Sequence, residues 1–317
     1  MSTDIPIKDV IVIGGGAAGL SAAQYCARAG LAVLVVEEMA LGGQALVIEG
    51  VENYPGFPDP VSGFEFAEKF EKQAKKFGAE FLYASVQSLK KEGRFFTLTT
   101  SKGVFTSYAV ILATGAKHRL LDIPGEKELA GRGVSYCATC DGPFFKNQKI
   151  LVVGGGDAAC DEAMFLAKLT DKVVMIHRRE RFRAQKALAE RVLKNKNIEV
   201  RFNTVLEEIK GKANDKGIEK TASGIFRRTD TGERYEEEIN AVFIFAGTIP
   251  ETALVPQLDK DEGGYIVTDE RMETSLAGLF CAGDVRATQF RQLIVAAGEG
   301  AVAAHSAAQY IDDLGNE

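Results

Sequence analysis

The sequence predicts an α/β protein of two similar domains, because one strand–turn–helix–strand pattern occurs in it twice. Residues 9–38 read DVIVIGGGAAGLSAAQYCARAGLAVLVVEE, and residues 149–179 read KILVVGGGDAACDEAMFLAKLTDKVVMIHRR. The two stretches align without a gap at an offset of 140 residues. Each is a β-α-β unit, which builds a parallel sheet with a right-handed crossover.

Both turns carry the glycine spacing of a dinucleotide-binding motif. The first glycine permits a tight turn, the second lets the backbone approach a pyrophosphate, and the third position allows close packing of helix on strand. The residues are Gly14, Gly16 and Gly19 in the first copy, and Gly154, Gly156 and Ala159 in the second. One such motif is a weak signal, but two copies between strand and helix predict two Rossmann-like dinucleotide-binding domains.

The residue that ends the second strand of each copy distinguishes the two ligands. Glu37, 23 residues after Gly14, offers a carboxylate that accepts hydrogen bonds from ribose hydroxyls and repels a 2′-phosphate. His177 occupies the same place in the second copy and opens the run HRRERFR, which contains Arg178, Arg179 and Arg183. Guanidinium groups match phosphate oxygens, so the first domain suits FAD or NAD and the second suits NADPH. A solvated basic start of a helix is the alternative for HRRERFR.

Further strand-to-turn segments set the domain limits. ILATGA (111–116) and VFIFAGTIP (242–250) each run from an apolar strand into a glycine turn. GLFCAGD (278–284) ends in Asp284, which is well placed to bind a ligand hydroxyl. The second domain is predicted to be inserted in the first. The expected ranges are 1–118 and 249–317 for the FAD-binding domain, and 119–248 for the NADPH-binding domain.

Composition excludes several classes of protein. The 317-residue chain has a formal net charge of −6, which favours neither nucleic acids nor anionic membranes. Its start has no apolar core of signal-peptide length, and its apolar runs are far shorter than the roughly 20 residues of a membrane helix. We therefore expect a cytoplasmic protein. The odd cysteine count argues against a disulfide scaffold, and Cys26, Cys160 and Cys281 are predicted to be small buried residues.

Cys137 and Cys140 form the motif CATC, which Asp141 follows directly. Such a pair can bind a metal, form a structural disulfide or carry electrons. Zinc needs about four ligands, and no other cysteine or histidine shows ligand spacing. A structural disulfide is disfavoured in a reducing compartment, so a redox-active dithiol is predicted, with a flavin linking it to NADPH. Asp141 is a candidate to exchange the proton of thiol–disulfide exchange; a helix N-cap or turn role is the alternative, and both are compatible.

Short motifs run in order along essentially the whole chain. They are GGGAAG (14–19), GGQ (42–44), ENYPGF (52–57), ATGA (113–116), CATCDG (137–142), GGGDAA (154–159), HRRERFRA (177–184), AGD (282–284) and RQ (291–292). Together they resemble the low-molecular-weight thioredoxin reductases of the bacterial type. The combination of CATCDG with HRR-x-x-x-R is highly specific to that resemblance.

The resemblance implies a homodimeric enzyme in which hydride passes from NADPH to FAD, and electrons then pass to the dithiol and to oxidised thioredoxin. It implies that Cys140 faces the flavin and that Cys137 attacks the disulfide of the partner. The residues implied for FAD are Gly14, Gly16, Ala17, Ala18, Glu37, Gly42, Gly43, Gln44, Asn53, Val86, Thr114, Gly115, Gly283, Asp284, Arg291 and Gln292. Those implied for NADPH are Gly154, Gly156, Asp157, Ala158, His177, Arg178, Arg179 and Arg183.

The sequence departs from that family pattern at two places. Asp157 and Ala158 stand where Asn-Thr or Asp-Ser is more usual, and the loss of hydroxyl contacts is expected to weaken NADPH binding. Leu293 stands where Ala is usual, which affects packing beside the flavin. The arginine cluster argues against the ferredoxin-dependent relatives, which have lost it. Two alternatives stay open: the same chemistry serving a glutaredoxin-like or peroxidase-linked partner, and a flavin-binding redox sensor or electron-transfer protein.

Overall fold

A computed structural model of the protein describes residues 7–48, 50–51, 53–213 and 217–315. Glu52, which begins the motif ENYPGF, lies outside them. The chain divides into two compact units, Met1–Lys117 with Ile249–Glu317, and His118–Thr248. Each unit contains one copy of the repeated pattern. Which dinucleotide each unit binds stays a prediction.

The first part of the chain contains seven strands, two α-helices and a 3₁₀ helix among the described residues. Its elements are β1 (Lys8–Ile13), α1 (Ala17–Arg28), β2 (Val33–Glu37), a 3₁₀ helix (Gly43–Val47), α2 (Gly63–Lys76), β3 (Glu80–Tyr83), β4 (Val86–Glu92), β5 (Phe95–Thr100), β6 (Gly103–Leu112) and β7 (Ala116–His118). Strands β3, β2, β1 and β6 are neighbours in that order and run parallel. Val10 to Ile13 of β1 are buried, as expected of a parallel strand covered on both faces.

The second unit repeats this arrangement. Its elements are β8 (Val134–Ser135), α3 (Ala138–Asp141), a 3₁₀ helix (Gly142–Phe145), β9 (Ile150–Gly154), α4 (Asp157–Leu166), β10 (Val173–Ile176), α5 (Lys186–Lys194), β11 (Ile198–Arg201), β12 (Thr204–Ala213), β13 (Glu219–Arg228), β14 (Arg234–Glu238) and β15 (Ala241–Phe245). Strands β11, β10, β9, β15 and β8 form a parallel sheet in that order. Strands β12, β13 and β14 form an antiparallel sheet.

The end of the chain completes the first unit. It contains β16 (Thr248–Pro250), β17 (Leu279–Cys281) and α6 (Leu293–Gly315). Strand β17 pairs parallel with the end of β6, opposite β1, so the order β3-β2-β1-β6-β17 matches that of the second unit. The start of β6 pairs antiparallel with β5, and β5 with β4. The two parallel sheets confirm the α/β fold predicted from the repeat.

Small residues let α6 lie close to α1. A Cβ added at Gly300 would lie 2.1 Å from the backbone oxygen of Ala18, so a larger residue there would push the helices apart. Ser21 donates a hydrogen bond from Oγ to the backbone oxygen of Ala297 at 2.7 Å. Among the helices that the structure describes, none is long and apolar enough to cross a membrane.

The cysteines outside the CATC motif are buried, as predicted. Cys281 ends β17 in the core, and Cys26 and Cys160 lie inside α1 and α4. Burial raises the pKa of Cys26 to about 12 and that of Cys160 to about 11. These thiols stay protonated at neutral pH and act as small apolar residues.

Candidate functional site

In the first glycine turn, two glycines are required by the packing of the fold and a third leaves space for a ligand. Gly14 has φ +103°, and a Cβ on it would lie 2.3 Å from the backbone oxygen of Ala113. A Cβ on Gly19 would lie 1.9 Å from the backbone oxygen of Gly14. At Gly16, by contrast, an added Cβ would meet none of the described atoms within 4 Å. Gly14 and Gly19 are therefore required by packing, and Gly16 leaves open space at the start of α1.

The start of α1 presents backbone N–H groups to that space. Gly16 is the N-cap of α1 and offers no side chain to cap it, and Ala17 and Ala18 form the first turn. Glu37 ends β2 beside this turn. Its carboxylate accepts hydrogen bonds from the backbone N–H of Gly15 at 2.7 Å and of Met39 at 3.0 Å. A phosphate at the N–H groups and a ribose at the carboxylate would both be stabilised here.

The GGQ segment lies against the same turn. The N–H of Gly42 donates to the oxygen of Gly15 at 2.8 Å. Gly42 and Gly43 both have positive φ, and a Cβ on Gly43 would lie 3.2 Å from Cα of Gly16. Gln44, next in the chain, donates from Nε2 to the oxygen of Ala116 at 2.6 Å. The segment therefore covers the turn only because its first two residues are glycines.

Residues far apart in the sequence meet on the predicted flavin side. Asn53 Nδ2 donates to Gln292 Oε1 at 2.9 Å. Thr114 Oγ1 donates to the oxygen of Glu251 at 2.7 Å, and Gly115, with φ +70°, continues the turn after β6. Val86 is half-buried at the start of β4.

The AGD turn and Arg291 supply charged groups. Gly283 has φ +77° and leads directly from β17 to Asp284. Burial raises the pKa of Asp284, Arg291 opposes that rise, and Glu299 adds to it. The guanidinium of Arg291 lies 4.1 Å from the centre of the Tyr265 ring, and its buried Nε has no hydrogen-bond partner in the described structure.

These features fit FAD. The open space at Gly16 is where a pyrophosphate is predicted, and Glu37 offers ribose hydroxyls a carboxylate. The unpartnered Nε of Arg291 is a donor that a bound polar group would satisfy, since a buried donor left without an acceptor is costly. The residues predicted for FAD all belong to the first unit.

The second glycine turn repeats the first with one substitution. A Cβ on Gly154 would lie 2.6 Å from Cβ of Ala159 and 2.9 Å from the oxygen of Phe245. Gly156, the N-cap of α4, has open space where its Cβ would be, as far as the described residues show. Asp157 and Ala158 follow it in the exposed first turn of α4. The second predicted pyrophosphate site is therefore an open helix start that faces solvent.

The basic segment after β10 folds back over this cradle. The N–H of Arg183 donates to the oxygen of Gly155 at 2.7 Å, and the N–H of Gln185 donates to Asp157 Oδ1 at 2.7 Å. The side chains of Arg178, Arg179 and Arg183 are exposed, and none of them forms an ion pair within the part of the chain that the structure describes. Three uncommitted guanidinium groups beside a phosphate cradle fit the 2′-phosphate of NADPH.

His177 differs from these three arginines because its side chain is buried. It is buried against Gly155, whose added Cβ would lie 2.3 Å from the histidine Nδ1. Burial lowers its pKa, and Arg183, Arg179 and Arg178 lower it further. Its buried Nε2 has no hydrogen-bond partner among the described residues. A neutral imidazole therefore supports the turn and keeps one ring nitrogen uncommitted.

The CATC motif forms a disulfide at the start of a short helix. Cys137 and Cys140 are bonded, with 5.4 Å between their Cα atoms. Cys137 is the N-cap of α3, and its Sγ accepts a hydrogen bond from the N–H of Cys140 at 3.2 Å. Asp141 ends α3. Groups of three or more His, Cys, Asp or Glu that could hold a metal ion do not occur among the described residues.

Helix α4 supports the dithiol segment, and it carries a residue that the motifs did not reveal. A Cβ on Gly142 would lie 2.9 Å from Leu166, 3.1 Å from Leu169 and 3.4 Å from Phe165. Glu162, three and four positions before Phe165 and Leu166, shares that face of α4. Its buried Oε2 has no described partner, and burial, with a smaller effect of Asp161, raises its pKa to about 7. The only signal in the sequence was a charged pair inside an apolar helix.

Comparisons with known proteins agree with this arrangement. Residues 8–300 match the model of the pyridine nucleotide-disulphide oxidoreductase family. The chain is 55% identical over 316 residues to a thioredoxin reductase of Treponema pallidum, with 100% of both proteins covered. It is 42% identical to a thioredoxin reductase of Listeria monocytogenes, over 99% of this chain and 97% of that protein. The crystal structure of a Streptococcus pyogenes thioredoxin reductase superposes with a TM-score of 0.91 at 40% identity, covering 97% of this chain and 99% of that one.

Two glycine cradles, a carboxylate at one and arginines at the other, and a dithiol define a flavin- and nicotinamide-dependent disulfide oxidoreductase. The chain belongs to the pyridine nucleotide-disulphide oxidoreductase family and, within it, to the low-molecular-weight thioredoxin reductases. FAD and NADPH are the cofactors that this family uses.

Proposed function

We propose that this protein is an NADPH-dependent thioredoxin-disulfide reductase. The observation that carries the proposal is the Cys137–Cys140 disulfide, held at the N-cap of α3 in the unit that also contains the arginine-lined glycine turn. The full-length similarity to thioredoxin reductases supports it. The net reaction consumes NADPH, a proton and the disulfide of thioredoxin, and yields NADP⁺ and a dithiol.

The two units divide the binding of the cofactors. Gly16, Glu37, Asp284 and their neighbours would hold FAD in the first unit. Gly156 and the basic segment would hold NADPH in the second. When bound, NADPH supplies a hydride and FAD carries the electron pair onward. Residues of the protein bind and orient these groups and hold the protons.

Reduction of the Cys137–Cys140 disulfide takes two electrons and two protons and yields two thiols. The N–H of Cys140 donates to Sγ of Cys137, which favours negative charge on that sulfur once the bond is broken. The thiolate of Cys137 is therefore the group that attacks the disulfide of thioredoxin. Cys140 then attacks the mixed disulfide and releases reduced thioredoxin. Asp141 would exchange a proton with the departing thiolate.

The test is consumption of NADPH by the purified flavoprotein on addition of oxidised thioredoxin. We expect turnover in the native protein and in a Cys160→Ala control, which removes a buried thiol that lies outside the motif. In Cys140→Ser we expect reduction of the flavin by NADPH without turnover.

Turnover in Cys140→Ser would mean that CATC is not where electrons leave the protein. If NADPH bleaches the flavin of the native protein but thioredoxin is not reduced, the two alternative functions are favoured again. These are a glutaredoxin-like or peroxidase-linked partner, and a redox sensor or electron-transfer protein. The similarity to thioredoxin reductases disfavours both.

We also propose a homodimer acting in the cytoplasm, which are the expectations that the family resemblance raises. Light scattering during size-exclusion chromatography measures the mass of the particle. A mass of one chain at micromolar concentration would contradict the dimer.

A further inference from the structure

Helix α6 carries a carboxylate that lies inside the first unit. The side chain of Glu299 is on the buried face of the helix, with 8% of the residue exposed. Its Oε2 accepts a hydrogen bond from the N–H of Gly283 at 2.8 Å, and its Oε1 pairs with Nη1 of Arg286. A buried carboxylate is costly unless both oxygens are satisfied, and here both are. No motif in the sequence pointed to it.

Glu299 and Arg286 together hold the turn that presents Asp284. Glu299 binds the residue before Asp284, and the N–H of Arg286 donates to the oxygen of Gly283 at 3.1 Å. Nε of Arg286 donates to Thr268 Oγ1 at 2.8 Å, which anchors the guanidinium. The turn is also tightly packed against α1, because a Cβ on Gly283 would lie 2.9 Å from Cβ of Ala18.

The charge of Glu299 also acts on Asp284. Burial raises the pKa of Asp284, Arg291 lowers it, and Glu299 raises it. The neighbouring elements α1 and β6 place the uncharged residues Ala18 and Leu112 against the turn. The charges that act on Asp284 are thus the cation Arg291 and the anion Glu299.

We propose that Glu299 is a positioning residue of the flavin site, which fixes the turn carrying Asp284 through Gly283 and Arg286. The proposal rests on the proposed function, because it takes FAD as the ligand of Asp284. An ionised Asp284 accepts hydrogen bonds from hydroxyl groups of FAD, so FAD is held above the pH at which Asp284 loses its charge. The negative charge of Glu299 disfavours ionisation of Asp284. It thereby raises the pH below which FAD is released, which is the acid limit of FAD binding.

The experiment measures FAD release from the holoprotein by the fluorescence of free FAD, from neutral to acidic pH. In E299Q we expect the dissociation constant at neutral pH to rise roughly tenfold, the effect of losing one charge-assisted hydrogen bond. We also expect the acid limit of FAD binding to move to lower pH, because the anion that disfavours ionisation of Asp284 is gone. The control D313N changes an exposed carboxylate of the same helix and should change neither quantity.

A second variant gives the opposite sign. R286Q removes the cation that pairs with Glu299, so the acid limit should move to higher pH. If E299Q raises the dissociation constant without moving the acid limit, Glu299 is only a packing element and the proposal fails. It fails equally if neither quantity changes. If E299Q does not fold, R286Q decides alone, and an unchanged or lowered acid limit overturns the proposal.

Measurements on the native protein distinguish a failure of this inference from a failure of the function on which it rests. Native protein that binds FAD and reduces thioredoxin, together with an E299Q variant that behaves like it, overturns only the role of Glu299. Native protein that binds no FAD overturns the proposed function and this role with it.

Discussion

The buried carboxyl of Glu162 makes the stability of the protein depend on pH in a way that one substitution can reveal. Burial raises its pKa from the usual 4.5 to about 7, and its Oε2 has no described partner. The folded state therefore binds this proton more tightly than the unfolded state. The stability associated with the protonated group is fully present below about pH 4.5, and it is lost as the pH rises through about 7.

The size of the effect follows from the shift. A rise from 4.5 to about 7 is 2.5 pH units, and at ~1.36 kcal/mol per unit this sets an upper limit of about 3 kcal/mol. Partial exposure reduces the expected value to about 2 kcal/mol. Glu162→Gln removes the titration, at the constant cost of an imperfectly bonded buried amide, about 1 kcal/mol. The informative quantity is therefore how the stability difference between the native protein and Glu162→Gln changes with pH.

Scanning calorimetry of the native holoprotein and of Glu162→Gln between about pH 5 and pH 8.5 measures this difference. We expect the variant to gain roughly 3 °C in unfolding temperature relative to the native protein across that range. Glu190→Gln, an exposed carboxylate on α5 paired with Lys194, is the control and should show a nearly constant difference. A difference between native protein and Glu162→Gln that does not change with pH would refute the assignment of a buried, neutral carboxyl.

Three further predictions follow from the described geometry. Replacing Arg178 and Arg179 with Ala should raise the KM for NADPH by roughly tenfold or more for each lost phosphate contact and leave the KM for NADH unchanged; equal effects on both would contradict the 2′-phosphate assignment. Gly16→Ala places its Cβ in open space, so the variant should lose FAD on gel filtration while the stability of the apoprotein changes by about 1 kcal/mol or less. Gly19→Ala, whose Cβ would lie 1.9 Å from a backbone oxygen, should fail to fold stably. Retention of FAD by Gly16→Ala would disprove the binding of FAD at this turn. Two basic partners lower the pKa of Glu237 from 4.5 to about 2, so Glu237→Gln should lower the unfolding temperature at pH 7 by an amount that diminishes as the pH falls from about 4.5 toward 2, and calorimetry that shows a constant difference would count against the ion pair.

Local patterns predicted the parts of the candidate site that lie on one turn each. The glycine spacing marked both cradles, because close approach of helix, strand and ligand excludes a Cβ at defined positions. The strand-end position distinguished Glu37 from the arginines of the basic segment. The CATC spacing indicated a pair able to form a disulfide, and the structure contains that disulfide.

Residues that act across the fold escaped the sequence. Glu299 reaches Gly283 only because α6 lies against α1. Glu162 is half-buried in α4, whose Phe165 and Leu166 lie next to Gly142 of the segment after CATC. Glu299 is an isolated charge in its part of α6 and Glu162 belongs to a charged pair in α4, and neither has a period or spacing that separates a buried carboxylate from an exposed one. His177 was expected beside the three arginines, and only the packing against Gly155 shows that it is buried.

The sequence by itself determined the repeated β-α-β units, the two glycine turns, the basic segment and the dithiol, because each depends on contacts between residues near in the chain. Tertiary structure alone decided that β17 joins β6 opposite β1, so that Asp284 comes to the edge where the first glycine turn lies. It also decided which carboxylates are buried and what they bind. Those outcomes depend on desolvation and on partners distant in sequence, which a local pattern does not encode.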